Sequence, residues 1–111
     1  MEHLFTITGT TLTIHLPGEI DHHVSEKIRL EADRIIQQKN IRRVLFDFSD
    51  TVFMDSSGIG MIIGRYKTMR FMGGTVTAIN VGERMHRILM LSGIYKVIDI
   101  YEGMPQQSKL L

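Results

Sequence analysis

Asp55-Ser56-Ser57-Gly58 sets a carboxylate and two hydroxyls directly ahead of a stretch with helical periodicity, and Asp21 stands in the same relation to an earlier one. Hydroxyls at such a place have two uses: they cap the free amides of the first helical turn, or they face outward. A phosphate on an outward Ser56 would add about −1.5 to −2 charge at neutral pH, and the amides and macrodipole of a helix start favour an anion there. Asp55 supplies like charge beside it, so a surface that docks against neutral Ser56 would meet a bulky dianion after phosphorylation. Gly58 and Gly60 are expected to keep the neighbouring surface low enough for another protein to approach. The competing reading is that Asp-Ser-Ser-Gly is only a polar helix cap, a common use of these residues. Nucleophilic catalysis at Ser56 is disfavoured, because no Gly-x-Ser-x-Gly elbow surrounds it.

Other candidate chemistry is thinner. His22 and His23 are adjacent and would point in different directions on a helix, and with no cysteine in the chain nothing completes a metal set, so no metal is expected. His3, His15 and His86 are scattered and read as packing or solvent contacts. Residues 60–67, Gly-Met-Ile-Ile-Gly-Arg-Tyr-Lys, lack the spacing and Lys-Ser/Thr ending of a phosphate-cradling loop. Met61, Met69, Met85 and Met90 read mainly as core filler, with Ile59 and Met61 the candidates for an adaptable apolar surface near Ser56.

The elements that must position these residues follow from pattern. Residues 4–8 and 12–16 alternate with period two around Gly9-Thr-Thr, which predicts an antiparallel hairpin. Pro17-Gly18 ends the second strand, and Asp21 caps a helix over residues 21–39 whose apolar positions Val24, Ile28, Ala32 and Ile35 face the sheet. Residues 43–48 are apolar at nearly every position, predicting a central strand covered on both faces. Residues 49–54 then read as a short loop, and Ile59, Ile62, Ile63 and Tyr66 as the inner stripe of a helix stopped by Gly73-Gly74. Residues 75–79 read as a strand, 83–91 as a helix with Met85, Ile88 and Leu89 inward, and 97–101 as the last strand. The tail after Glu102 reads as a short helix or a frayed end. The alternation gives an α/β class: an N-terminal hairpin joined to a mostly parallel sheet of about five strands, with helices packed on it.

A chain of 111 residues fits one domain, 1–111, and its 43% hydrophobic and 23% charged residues suffice for a core and for solubility. The formal charge of +1 comes from 13 Lys plus Arg against 12 Asp plus Glu, without a concentrated basic face, so neither nucleic acid nor a membrane surface is an expected partner. The first residues lack a basic stretch followed by an apolar one, and no apolar run nears the ~18 residues of a membrane span, so a cytoplasmic protein is expected.

Met54-Asp-Ser-Ser-Gly-Ile-Gly60, continuing through Met61-Ile-Ile-Gly-Arg-Tyr-Lys67, closely resembles the phosphorylation-site signature of anti-sigma factor antagonists with the STAS fold. Leu16-Pro-Gly-Glu-Ile-Asp-His-His23 resembles a second signature of that family at the right separation, and Met90-Leu-Ser-Gly-Ile-Tyr95 a third. Pro17 departs mildly, standing where a small polar residue is commoner. The Asp-Ser-Ser-Gly form, the paired histidines and Gly-Arg-Tyr-Lys are most similar to the sporulation branch, which acts on the anti-sigma-F factor. The resemblance implies that Ser56 is the phosphoacceptor, that Asp21 contacts the partner, and that Asp55, Ser57, Gly58, Ile59 and Gly60 share that surface. It implies two partners: an anti-sigma factor that is itself a serine kinase, bound in its nucleotide-loaded state, and a PP2C-type serine phosphatase. No catalytic residue and no cofactor are implied for the chain itself. The alternatives are a general-stress antagonist and a non-switching STAS scaffold of a sensor or transporter assembly.

Overall fold

The computed structural model describes residues 2–105. A short 3-10 turn (Glu2–Leu4) leads into strand β1 (Phe5–Thr8), which reverses at Gly9 and pairs antiparallel with β2 (Thr11–His15). Gly9 sits at φ 62°, a left-handed conformation that glycine adopts without steric cost. Strand β3 (Glu19–Ile20) and helix α1 (His22–Gln38) follow, then β4 (Arg43–Asp47), β5 (Phe53–Met54), α2 (Ser56–Phe71), β6 (Thr75–Ile79), α3 (Glu83–Ser92) and β7 (Asp99–Ile100). The main sheet has five strands in the order β1-β2-β4-β6-β7, parallel from β2 onward, and β3 and β5 form a separate parallel pair. The α/β expectation of a hairpin joined to a mostly parallel sheet therefore holds.

Boundaries differ in places. Leu4 belongs to the opening turn rather than to β1, and the last strand is only Asp99–Ile100, because residues 94–96 wind into a 3-10 turn after Gly93. Residues 102–105 carry no helix, and the remainder of the expected tail lies outside the described residues. Among the described residues, no helix is long and apolar enough to cross a membrane.

The core lies on one face of the sheet. Leu12 and Ile14 of β2, Val44 and Phe46 of β4, and Val76 and Ala78 of β6 line up in register beneath Ile28, Ala32 and Ile36 of α1, Ile62 and Met69 of α2, and Met85 and Leu89 of α3. The centre of β4 is buried on both faces, as expected: Val44, Leu45 and Phe46 are all buried. Leu45 and Ile79 are buried but stand outside that core, on the opposite face, where Leu45 is flanked in register by Thr13 and Thr77 and the surrounding Thr11, Arg43 and Thr75 reach solvent.

Which face of α2 turns inward also differs from the periodic reading. Gly58, Met61, Ile62, Arg65 and Met69 are buried, whereas Ile59, Ile63 and Tyr66 are half-buried. The charged member of that stripe is paired: Arg65 Nε lies 3.0 Å from Asp33 Oδ1 on α1, which ties the two helices together. Burial pulls the Arg65 guanidinium below its ordinary value, with Asp33 acting against it. Of the methionines read as core filler, Met61, Met69 and Met85 are buried, but Met90 is 39% exposed on the outer side of α3.

At the carboxyl end of the sheet, Asp47 gathers donors from three elements. The Ser49 amide (3.0 Å) and hydroxyl (2.6 Å) and the Asn80 side chain (3.0 Å) donate to Oδ1, and His15 Nδ1 lies 2.9 Å from Oδ2. Burial raises the carboxyl, but the bonds from Ser49, Asn80 and His15 outweigh it and bring it down to about 2, against an ordinary 3.8. A carboxylate depressed in the folded state stabilises above its unfolded value, and that stabilisation is lost as pH falls toward the folded one. Asp47→Asn is therefore expected to cost about 1–2 kcal/mol at pH 6, and this difference from wild type should shrink between pH 4 and pH 2 in urea denaturation. An equal difference at both pH values would contradict the assignment.

Candidate functional site

The two segments singled out in the sequence, around Asp21 and around Ser56, are zipped together by the β3–β5 pair. Glu19 lies opposite Phe53 and Ile20 opposite Met54. The Val52 amide donates to the Gly18 carbonyl (2.8 Å) and the Asp55 amide to the Ile20 carbonyl (3.1 Å), extending the ladder to the threshold of both helices. Residues 49–54, expected as a plain loop, thus contain a strand. Thr51 reinforces the junction: it is buried, and its hydroxyl donates to the Pro17 carbonyl at 2.9 Å. A lone threonine between Asp50 and Val52 carries no sequence signal for this role.

Each helix then starts on an aspartate cap. Asp21 accepts from the Val24 amide at 2.9 Å, as expected, and Asp55 accepts from the Ser57 amide at 2.9 Å. The Ser57 hydroxyl also donates to Asp55 Oδ1, and lies 3.1 Å from the Ser25 hydroxyl on α1. Because the one Ser57 proton goes to Asp55, Ser25 is the donor in the second bond. The Ser57 hydroxyl, with the amides of Ser57 and Gly58, holds the Asp55 carboxyl below its ordinary range, so it stays ionised. Ser56 is the first residue of α2 and is exposed, with no side-chain hydrogen bond among the described residues. The two serines therefore divide the two uses of a hydroxyl at a helix start: Ser57 is committed to the cap and Ser56 faces outward.

The glycines divide as well. Gly58 is buried, and a Cβ there would collide with Met54 Cγ and come within 2.9 Å of its Sδ, so its role is to admit Met54 rather than to lower the surface. Gly60 is exposed with open space around it, as expected of a flat surface. Ile59 is half-buried, and Met61, a candidate for the exposed apolar surface, is 4% exposed because it turns into the contact between α1 and α2. Asp21, His22 and His23 are exposed. Between the two helix starts runs a shallow crevice of about 150 Å³ lined by His22, Ser25, Glu26, Arg29, Ser57, Gly60 and Met61. No group of three or more His, Cys, Asp or Glu among the described residues is placed to hold a metal ion. The site as built offers an exposed hydroxyl on a helix amide terminus, a neighbouring capped carboxylate and a second loop held in fixed relation to it.

The STAS domain family matches residues 4–106. Among relatives, the chain is 38% identical over 92 residues to the anti-sigma F factor antagonist of Paenibacillus polymyxa, covering 83% of this chain and 79% of that protein. It is 32% identical to that of Lysinibacillus sphaericus, over 79% of this chain and 75% of that one. Two solved structures superpose over 96% of the chain: the anti-sigma factor antagonist SpoIIAA in its unphosphorylated form, with TM-score 0.71, 26% identity and 92% of its own length covered, and the Bacillus SpoIIAA in the phosphorylated form, with 0.70, 28% and 95%.

The division of labour at the helix start has a stability signature. Ser57→Ala breaks the chain from Ser25 to Asp55 and is expected to cost about 1 kcal/mol, whereas Ser56→Ala should stay within about 0.5 kcal/mol of wild type in urea denaturation. Gly58→Ala, forced against Met54, should cost about 1–3 kcal/mol. A destabilised Ser56→Ala beside a neutral Ser57→Ala would reverse the assignment.

Proposed function

The chain belongs to the STAS-domain family as an anti-sigma factor antagonist, and from that premise we propose that it acts on the anti-sigma-F factor in sporulation and is switched off by phosphorylation of Ser56. Unphosphorylated, it binds the anti-sigma factor in its nucleotide-loaded state through the surface carrying Asp21 and Ser56, and the sigma factor is released. The same anti-sigma factor is the serine kinase that modifies Ser56, and a PP2C-type phosphatase restores the free hydroxyl. The exchange takes place in the cytoplasm, between proteins. The observation that carries this reading is the exposed Ser56 at the first turn of α2, beside a Ser57 whose hydroxyl is already committed.

The physical mechanism follows from position. A phosphate on Ser56 adds about −1.5 to −2 charge beside Asp55 and over the positive end of a 16-residue helix, which tolerates it. Nothing in the core needs to move, because Ser56 points away from it. A partner that packs against the neutral hydroxyl instead meets a hydrated dianion, which it cannot bury without a dedicated cation. Binding is blocked while the fold persists.

Intact-mass measurement after incubation with the anti-sigma factor kinase and ATP tests the switch. One added phosphate is expected on wild type and on Ser57→Ala, and none on Ser56→Ala. Phosphate on Ser56→Ala would relocate the acceptor, and none on any form would favour a non-switching scaffold.

A further inference from the structure

Phe53 is an anomaly for a short, well-anchored strand. Its neighbours Ile20 and Met54 are buried beneath the β3–β5 pair, yet Phe53 is 48% exposed, as is Val52 before it. Exposure alone does not single it out, since Phe71 at the end of α2 is 93% exposed. What sets Phe53 apart is what surrounds it. In register it stands beside exposed Glu19, and three residues on, across the Asp55 cap, comes exposed Ser56. Its backbone is fixed on both sides: the Val52 amide donates to Gly18 at 2.8 Å, the Asp55 amide to Ile20 at 3.1 Å, and the Thr51 hydroxyl to Pro17 at 2.9 Å. An aromatic side chain on so rigid a support loses little freedom on docking, which is the property of residues that dominate protein interfaces.

The two segments that build its surface carry carboxylates, while α3, packed against β5, adds Arg84 and Arg87. Residues 17–26 and 44–64 contain no Lys or Arg, while Glu19, Asp21, Asp50 and Asp55 lie within five positions of Phe53 or of its register partner Glu19. A membrane surface with anionic lipids would be repelled by the carboxylates of these two segments, and a second copy of the same face would bring them against each other. The surface is complementary to a protein presenting an apolar pocket with a basic rim.

We infer that Phe53, with Val52, is the apolar anchor through which this surface docks its protein partner, the acidic residues around it orienting the encounter. This rests on the reading that the Ser56 surface binds the anti-sigma factor. On this account the serine switch works by adding charge at the edge of an apolar contact, which must be dry to be strong.

The test uses the full chain with Ser56→Ala as parent, so that no phosphorylation intervenes, and measures its binding to immobilised nucleotide-loaded anti-sigma factor kinase at several salt concentrations. Phe53→Thr keeps a strand-forming residue and should weaken binding at least about 30-fold with an unchanged salt slope, because apolar contact and not charge is lost. Val52→Thr, close in shape to the original, should weaken it about 3- to 10-fold. Phe71→Ala, equally apolar but remote, should bind like the parent. If the parent binds and Phe53→Thr and Val52→Thr bind as it does, the anchor is wrong while the Ser56 reading stands. If the parent itself does not bind, the Ser56 reading fails and the anchor with it. Thermal melts accompany each variant, and should Phe53→Thr lose its transition, the shape-conserving Val52→Thr decides.

Discussion

The short parallel pairing of Glu19–Ile20 with Phe53–Met54 is the constraint on which the site depends. It lies outside the main sheet, and it brings together two segments more than 30 residues apart in sequence. Its two rungs end on Asp21 and Asp55, so both helix starts emerge from one ladder, with the Asp55 amide bonded directly to the carbonyl that precedes Asp21. Without it, each cap would still begin its own helix, but no fixed distance would separate Ser56 from the Asp21 loop. Thr51 and Met54 secure the pairing from below, the first by bonding the backbone of residues 16–17, the second by filling the space that Gly58 leaves open.

That arrangement isolates the exposed hydroxyl from the core. Ser57 absorbs the structural duty, joined to Asp55 and to Ser25 across the helix contact, and Arg65 with Asp33 binds the same two helices farther along. Ser56 is left with no packing role. A modification there changes charge and shape at the surface and little else, which is what a binding switch requires and a folding switch does not. The main sheet is a support whose helix-covered face holds the core, while the Asp47 cluster ties its carboxyl end together.

Much of this was legible in the chain. The hairpin alternation, the periodicity of α1 with Asp21 as its cap, and the strand–helix alternation from Arg43 onward were each local patterns, and each is realised. The misses share a cause: they depend on contacts distant in sequence. α2 is apolar on nearly every side, so periodicity could not choose the face that Arg65 occupies, and a buried arginine becomes intelligible only once Asp33 is opposite. The apolar run of β4 did not reveal that Leu45 lies outside the main core, between Thr13 and Thr77 of the neighbouring strands. β5 was invisible because a two-residue strand has no period, and the inward turn of Gly58 and Met61 follows from where Met54 and α1 lie. Ser56 and Ser57 are indistinguishable as residue types; only Ser25, 32 positions from Ser57, separates their roles.

A phosphate on Ser56 is expected to abolish partner binding while leaving the fold intact. The most direct measurement is calorimetric titration of nucleotide-loaded anti-sigma factor with enzymatically phosphorylated and unphosphorylated chain, paired with thermal melts of both. A loss of affinity of at least about 100-fold, with transitions within a few degrees of each other, is the predicted result. Equal affinity, or a loss that accompanies collapse of the thermal transition, would contradict it.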